Sequence, residues 1–217
     1  MLKNFDFDQM SNSVKNTEVK IYPVDTAIIQ STEVWKASGH LSEFTDPMVE
    51  CKNCNSRFRS DSAPEVTCCD TQDLTEPKNF NLMFETNLGP VQNENSQVYL
   101  RPETAQGIFV NFENVLRTMR AKLPFGIANI GKSFRNEISP RQGLLRVREF
   151  TMAEIEHYVH PERKKHDRFD EVKDIKLPLY SKERQMAASG PVTMTIGEAV
   201  STGMVNNETL GYFLARI

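Results

Sequence analysis

Residues Lys122–Arg141 read KLPFGIANIGKSFRNEISPR, and shortly afterwards Leu144–Val159 read LLRVREFTMAEIEHYV. Ile127–Glu137 and Leu144–Val159 have the composition of strands, and the hexapeptide between them, Ile138–Gly143, carries Pro and Gly where a turn needs them. Side chains alternate between the faces of a strand, so parity sorts each residue to a side. Arg135 and Glu137 share one side of the first strand. On the second, Arg146, Arg148, Phe150, Met152, Glu154 and Glu156 fall on one side, and Leu145, Val147, Ala153, Ile155 and Val159 mostly on the other. One face is therefore expected to be core and the other charged.

A charged strand face is ordinarily a solvated one. Three features weigh against that reading here. The charges segregate by sign, with arginines near the turn and carboxylates further along. Phe150 lies between them on the same face. Gly131–Arg148 carries five basic residues against one acid in a chain whose net charge is −3. Arginine forks bind phosphate oxygens, an aromatic face stacks on a flat ring, and paired carboxylates hold an ammonium group. The face suits a ligand that has all three parts.

Working upstream, Val98–Leu100 reads as a short strand leading into Arg101-Pro102-Glu103-Thr104-Ala105-Gln106. Pro102 fits a first helical turn, and Ile108, Phe109, Phe112, Val115, Leu116 and Met119 recur at helical spacing, so a helix is expected from about Pro102 to about Lys122. Core packing is the expected role of that stripe. Glu103 near the helix start could simply complement the helix dipole, an effect of about 0.3–1 kcal/mol. Asn81–Thr86 reads as a strand and Gly89–Ser96 as a loop. Further upstream, Val19–Val24 reads as a strand and Ser31–Ala37 as a short helix ended by Gly39.

The remaining composition is unexceptional. The chain has 217 residues, 39% hydrophobic and 25% charged, enough for one sizeable core or two small ones. No apolar run approaches the length that spans a bilayer, and Met1–Met10 lacks the apolar stretch of a signal peptide, so neither a membrane nor a secreted protein is expected. The mildly negative charge argues against a generally basic, non-specific nucleic-acid binder and leaves room for a local basic site. His40, His157, His160 and His166 show no ligand spacing and are expected to be structural or exposed.

From Thr45 to Glu76 the chain is rich in Cys, Asn, Ser, Asp and Pro, which suggests an irregular insertion or a small metal knuckle. Cys51 and Cys54 form C-x2-C, a spacing that lets two thiolates share one ion, and Cys68 and Cys69 follow as a direct pair. Adjacent side chains diverge on an extended backbone, so joint ligation by Cys68 and Cys69 needs a local bend. Zinc at this cluster and reduced thiols in a loop both fit the sequence.

The strings FNLMFETNLGP (Phe80–Pro90), YLRPETAQGIFVNF (Tyr99–Phe112) and the two strand segments quoted first resemble the catalytic domain of homodimeric class II glycyl-tRNA synthetases. Weaker matches are Glu33–Val49, Phe58–Asp61 (FRSD) and Asn206–Ile217. The resemblance implies an α+β fold: the antiparallel β-sheet of the class II catalytic domain flanked by helices, here incomplete. It implies ATP-dependent activation of glycine to glycyl adenylate and transfer to tRNA(Gly), with ATP and Mg²⁺, in a homodimer located in the cytoplasm or, as the alternative, the mitochondrion. Arg135 and Glu137 match the class motif and are the expected catalytic pair, with Asn136 between them in the ATP site. Arg146 and Val147 match the returning strand that contacts ATP, and Phe150 the aromatic on which adenine stacks. Glu103 and Glu154 match carboxylates that bind the glycine ammonium, and Arg59 an arginine near the substrate. The roles of Arg141 and Arg148 stay open.

Measured against that family, residues 1–20 look like the polar remnant of the dimer-interface motif. Residues 21–160 form the catalytic core with the Cys-containing insertion 45–76, and 161–217 an insertion followed by a helical segment. The third class motif and an anticodon-binding domain do not follow, so the chain is expected to be a catalytic-domain fragment that does not glycylate tRNA alone. The alternatives are a non-catalytic synthetase-like chain that binds tRNA or a protein, and a class II synthetase for another small amino acid.

Overall fold

The structure, a computed structural model, describes residues 19–61, 68–69, 73–91, 96–138, 140 and 145–217. The expected interface remnant before Val19, most of the turn hexapeptide, Arg141 and Leu144 lie outside the described residues. Among the described residues no helix is long and apolar enough to cross a membrane. The chain divides into two compact units, one made of Ile21–Ala121 and Gly126–Glu156, the other of Lys122–Phe125 and His157–Ile217 with Val19 and Lys20.

Strands β1 (Lys20–Val24), β8 (Phe125–Phe134) and β9 (Glu149–Tyr158) form a sheet in the order β1-β8-β9, the greater part of which the first unit holds. Strand β8 is central, and its first five residues, Phe125–Asn129, are all buried, as a strand covered on both faces requires. A second, antiparallel sheet has the order β2-β7-β6, from Ile29–Ser31, Gln97–Leu100 and Phe84–Asn87. A third, also antiparallel, has the order β4-β3-β5, from Arg57–Arg59, Thr45–Glu50 and Lys78–Asn81. The 45–76 segment is thus not irregular throughout, since it supplies two paired strands.

Helices α1 (Thr32–Ala37), α2 (His40–Glu43) and α3 (Ala105–Thr118) complete this unit. The expected strand Asn81–Thr86 is broken at Leu82–Met83 and belongs to two sheets. The reason is local: the Asn81 amide donates to the carbonyls of His40 and Leu41 and accepts from the Met83 N–H at 2.7 Å, while Leu82 N–H turns to Phe44 O. Helix α3 begins at Ala105 rather than Pro102, and it ends at Thr118. Only Ile108 and Val115 of its apolar stripe are buried; Phe109, Leu116 and Met119 are exposed, which corrects the expected core role.

Arg101 locks β7 to β8. It is fully buried, donates from Nε to Lys132 O at 2.8 Å and from Nη1 to both Thr26 O and Thr26 Oγ1 at 2.9 Å. Room for it exists because residue 131 is glycine: a Cβ there would lie 2.3 Å from Arg101 Nη2.

The second unit pairs β10 (Lys176–Leu179) with β11 (Val192–Thr195) in an antiparallel hairpin, with a short helix α4 (Lys182–Met186) between them. Helices α5 (Ile196–Ser201) and α6 (Glu208–Arg216) follow. Thr195 and Glu198 form a capping box on α5, and Asn207 caps α6 through the Leu210 N–H. Phe125, Val172, Ile196, Ala199, Val205 and Tyr212 are among its buried apolar residues.

Candidate active site

The residues singled out in the sequence gather in the first unit, at the ends of strands rather than inside them. Strand β8 stops at Phe134, so Arg135, Asn136 and Glu137 follow it; β9 starts at Glu149, so Arg146, Val147 and Arg148 precede it. Pairing persists across the junction through Arg135 N–H to Arg148 O at 3.0 Å, and Asn136 N–H donates to Leu82 O at 2.8 Å. The backbone there is held by its neighbours although the strands have ended.

The two faces of β9 are opposite to expectation. Ala153 and Ile155 are exposed, whereas Phe150, Met152, Glu154 and Glu156 are half-buried. Parity sorted the residues correctly, but which side is covered depends on what packs there. The charged side faces other elements of the site.

Arg135 is flanked by two aromatic rings. Its guanidinium carbon lies 5.4 Å from the centroid of Phe44 and 5.3 Å from that of Phe150, and Nε donates to Pro102 O at 3.3 Å. Among the described residues no carboxylate lies within ion-pair distance of it. Cation–π contact holds the group between the rings without an ion pair among the described residues.

The other arginines are paired. Arg146 Nε donates to Glu137 at 2.9 Å, and Arg148 donates twice to the Glu137 carbonyl, at 3.2 and 3.0 Å. Asp46 on β3 sits between Arg59 Nη1 at 2.5 Å and Arg146 Nη2 at 3.8 Å. Arg59 also forms a two-pronged pair with Asp61 at 3.1 and 2.8 Å, and that pair, with Asp46 and Glu137 nearby, raises its pKa. Val147 is half-buried. Asp46 escaped the sequence reading because only the β3–β4 pairing carries it to Arg59, thirteen residues on.

Carboxylates form the opposite end. Glu103 accepts from Gln106 Nε2 at 2.9 Å and lies 3.4 Å from His40 Nε2. The His40 hydrogen bond holds its carboxyl below the usual range, against the effect of burial. Glu154 accepts from the Thr104 N–H at 2.6 Å and from the Thr104 hydroxyl, so this threonine, the N-cap of α3, makes no capping bond with its side chain. Burial first, and then the charges of Glu154 and Glu103, push the Glu156 carboxyl up. Three carboxylates therefore share one neighbourhood. His40 and Glu156 belong with this group, although His40 was expected to be structural or exposed and Glu156 was read only as part of the charged face.

Beside this site the cysteines have come together. The ligand atoms of Cys51, Cys54, Cys68 and Cys69 all lie within 4.8 Å of one another, and none of the four is in a disulfide. The chain bends at Cys69, so the adjacent pair points into one cluster instead of diverging. Backbone hydrogen bonds from Cys54 and Asn53 lower the Cys51 thiol to about 6, and burial pushes Cys68 up to about 12.

Arginines with Phe150 against one of them, and a group of carboxylates around Thr104 and His40, are the geometry of this unit. Residues 83–188 match the tRNA synthetase class II core domain (G, H, P, S and T). The chain belongs to the class II aminoacyl-tRNA synthetases. Within that family it is 46% identical to the glycine–tRNA ligase of Methanocaldococcus jannaschii, over 89% of this chain and 38% of the relative. It is 44% identical to that of Pyrococcus furiosus, over 90% of this chain and 38% of the relative. This class II chain thus spans about 38% of the length of the curated relatives it matches. The structure titled as the RNA binding domain of threonyl-tRNA synthetase from Cryptosporidium parvum Iowa II is similar at a TM-score of 0.46, with 23% identity, covering 76% of this chain and 31% of that one.

Proposed function

We propose that this chain is the catalytic-domain portion of a glycine–tRNA ligase, which activates glycine with ATP and passes it to tRNA(Gly). The observation that carries the reading is Arg135: a guanidinium oriented by two rings, without a carboxylate partner among the described residues, within the electrostatic reach of Glu103. In the proposed first step a glycine carboxylate oxygen attacks the α-phosphorus of ATP. The new P–O bond forms as the bond to the bridging oxygen breaks, and pyrophosphate leaves with that electron pair. Glycine is already a carboxylate at neutral pH, so no general base is required. Positioning and charge neutralisation carry the rate.

Arg135 takes the α-phosphate, with Glu137 and Asn136 beside it, and Phe150 stacks on adenine. Val147 and Arg146 line the nucleotide side, and Arg59 adjoins them through Asp46. Glu103 and Glu154 hold the ammonium group; a side chain on the substrate would have to be accommodated against them, and overpacking is costly. Mg²⁺ accompanies ATP and neutralises phosphate charge when bound.

Pyrophosphate exchange in the full-length protein tests this. Arg135→Ala and Glu103→Ala are each expected to lower the glycine-dependent rate by at least about 100-fold; unchanged rates in both overturn the reading. An adaptor without activity would bind tRNA but not a glycyl-adenylate analogue.

The proposal extends to a homodimer, supported by the family resemblance and by exposed Phe109 and Val110 on α3, and to a cytoplasmic or mitochondrial location. Zinc is the ion proposed for the four-cysteine cluster, on the softness of its donor set.

A further inference from the structure

We infer that the four-cysteine cluster is a closed structural zinc site whose task is to hold the β4-β3-β5 sheet together and so to place Arg59 and Asp46 for the nucleotide side of the site. This rests on the zinc reading above and adds to it the role of the ion. Four thiolates at the zinc–sulfur bond length of about 2.3 Å place their sulfurs about 3.8 Å apart in a tetrahedron. Here Cys51 Sγ lies 3.5 Å and Cys68 Sγ 3.8 Å from Cys69 Sγ, and all four ligand atoms fall within 4.8 Å. Such spacing is far beyond the roughly 2.05 Å of a disulfide, so the thiols converge without being bonded.

Convergence of four thiols at one point needs a reason. Among the described residues the buried ones of this knuckle are Val49, Cys51 and Phe58, with Cys68, Cys69 and Leu74 packed against them. Half of that set is cysteine. Side chains that are half thiol contribute little apolar burial of their own, and thiols gathered in this way are ordinarily held by a metal or a disulfide. Four thiols at one point supply all the ligands of a tetrahedral ion and leave no position for a substrate, the arrangement of a structural site.

The ligands come from places that tie the sheet. Cys51 and Cys54 lie on the turn directly after β3, and Cys51 pairs with Leu74 in an isolated bridge. Cys68 and Cys69 lie on the chain returning to β5. Strand β3 carries Asp46, and β4, which pairs with it through Val49 and Phe58, carries Arg59. An ion at the turn therefore fixes the pairing that sets the Asp46–Arg59–Arg146 charge row.

The test is metal analysis of the full chain after purification without chelators, followed by cobalt substitution. About one zinc per chain and a cobalt spectrum of tetrahedral thiolate character are expected. Cys54→Ser, at an exposed position that a fold tolerates, is expected to lose at least about tenfold in zinc affinity. Less than about a tenth of a zinc per chain, iron in its place, or undiminished zinc affinity in Cys54→Ser overturns the site. The structural role is read on the unsubstituted chain by hydrogen exchange after zinc removal. Protection is expected to fall across 45–61 and to persist in 125–134, and equal protection before and after overturns it. Pyrophosphate exchange is not needed for any of these readings, so failure here leaves the glycine reading standing, and the converse holds.

Discussion

Arg101 is a fully buried cation satisfied by carbonyl and hydroxyl oxygens, and burial lowers its pKa despite the charges of Asp25 and Glu154. Three bonds leave it no room to move, so Gly131→Ala cannot be absorbed by swinging the side chain aside. That variant is expected to lose about 1–3 kcal/mol, measured by chemical denaturation. Asp46 poses a different case, because it neutralises Arg59 and Arg146 together. Asp46→Asn is expected to raise the ATP KM in pyrophosphate exchange by about tenfold while leaving the glycine KM within about twofold, since Glu103 and Glu154, proposed to hold the ammonium, make no contact with Asp46. Equal changes in both constants would count against the division of the site into two ends. Arg135, Glu103 and Phe150 were legible in the sequence because each sits in a dense local motif. Asp46 was not, because its role exists only across a strand pair.

At the level of elements, the docking of α6 depends on two histidines. His166 stacks on Tyr212 with ring centroids 3.7 Å apart, and His157 meets Phe213 edge-on at 5.1 Å. Burial lowers the pKa of both imidazoles. A folded-state pKa below the unfolded value of about 6.5 means that the unfolded chain binds more protons as pH falls, so stability present above that value is lost below it. The thermal midpoint of this unit is expected to be lower at pH 5.5 than at pH 7.5, and His157→Phe is expected to reduce the difference, as followed by circular dichroism. An unchanged difference would mean that other groups carry the pH dependence. Element boundaries were only partly legible for a related reason. The Pro102 start of α3 was a sound local reading, yet Glu154 takes both the N–H and the hydroxyl of Thr104, and the regular helix begins only after that contact.

For the whole molecule, the exposed apolar residues of α3 matter most. Phe109 is 51% exposed, Val110 60% and Leu116 39%, and helical spacing sets Phe109 and Leu116 on one side of α3, an apolar surface that gains from being covered. The chain is expected to self-associate with rising concentration. Phe109→Asp with Val110→Lys is expected to shift sedimentation toward the monomer without lowering the unfolding midpoint, because neither side chain is buried. A sedimentation profile unaltered by that pair would remove the helix from the proposed dimer contact.

The sequence by itself determined the family, the sign-sorted strand face, the approximate positions of β1, β7, β8, β9 and α1, and most of the charged and aromatic residues that meet in the candidate site. These are properties of local pattern: period, turn residues and motif spacing act over a few residues. Only the tertiary structure decided that the charged face of β9 is the covered one, that α3 leaves half its stripe in water, that Asp46 and His40 join the site, and that Cys68 and Cys69 point together. Each of those depends on which segments meet in space, and burial, ion pairing and coordination are energies of proximity that a linear pattern does not contain.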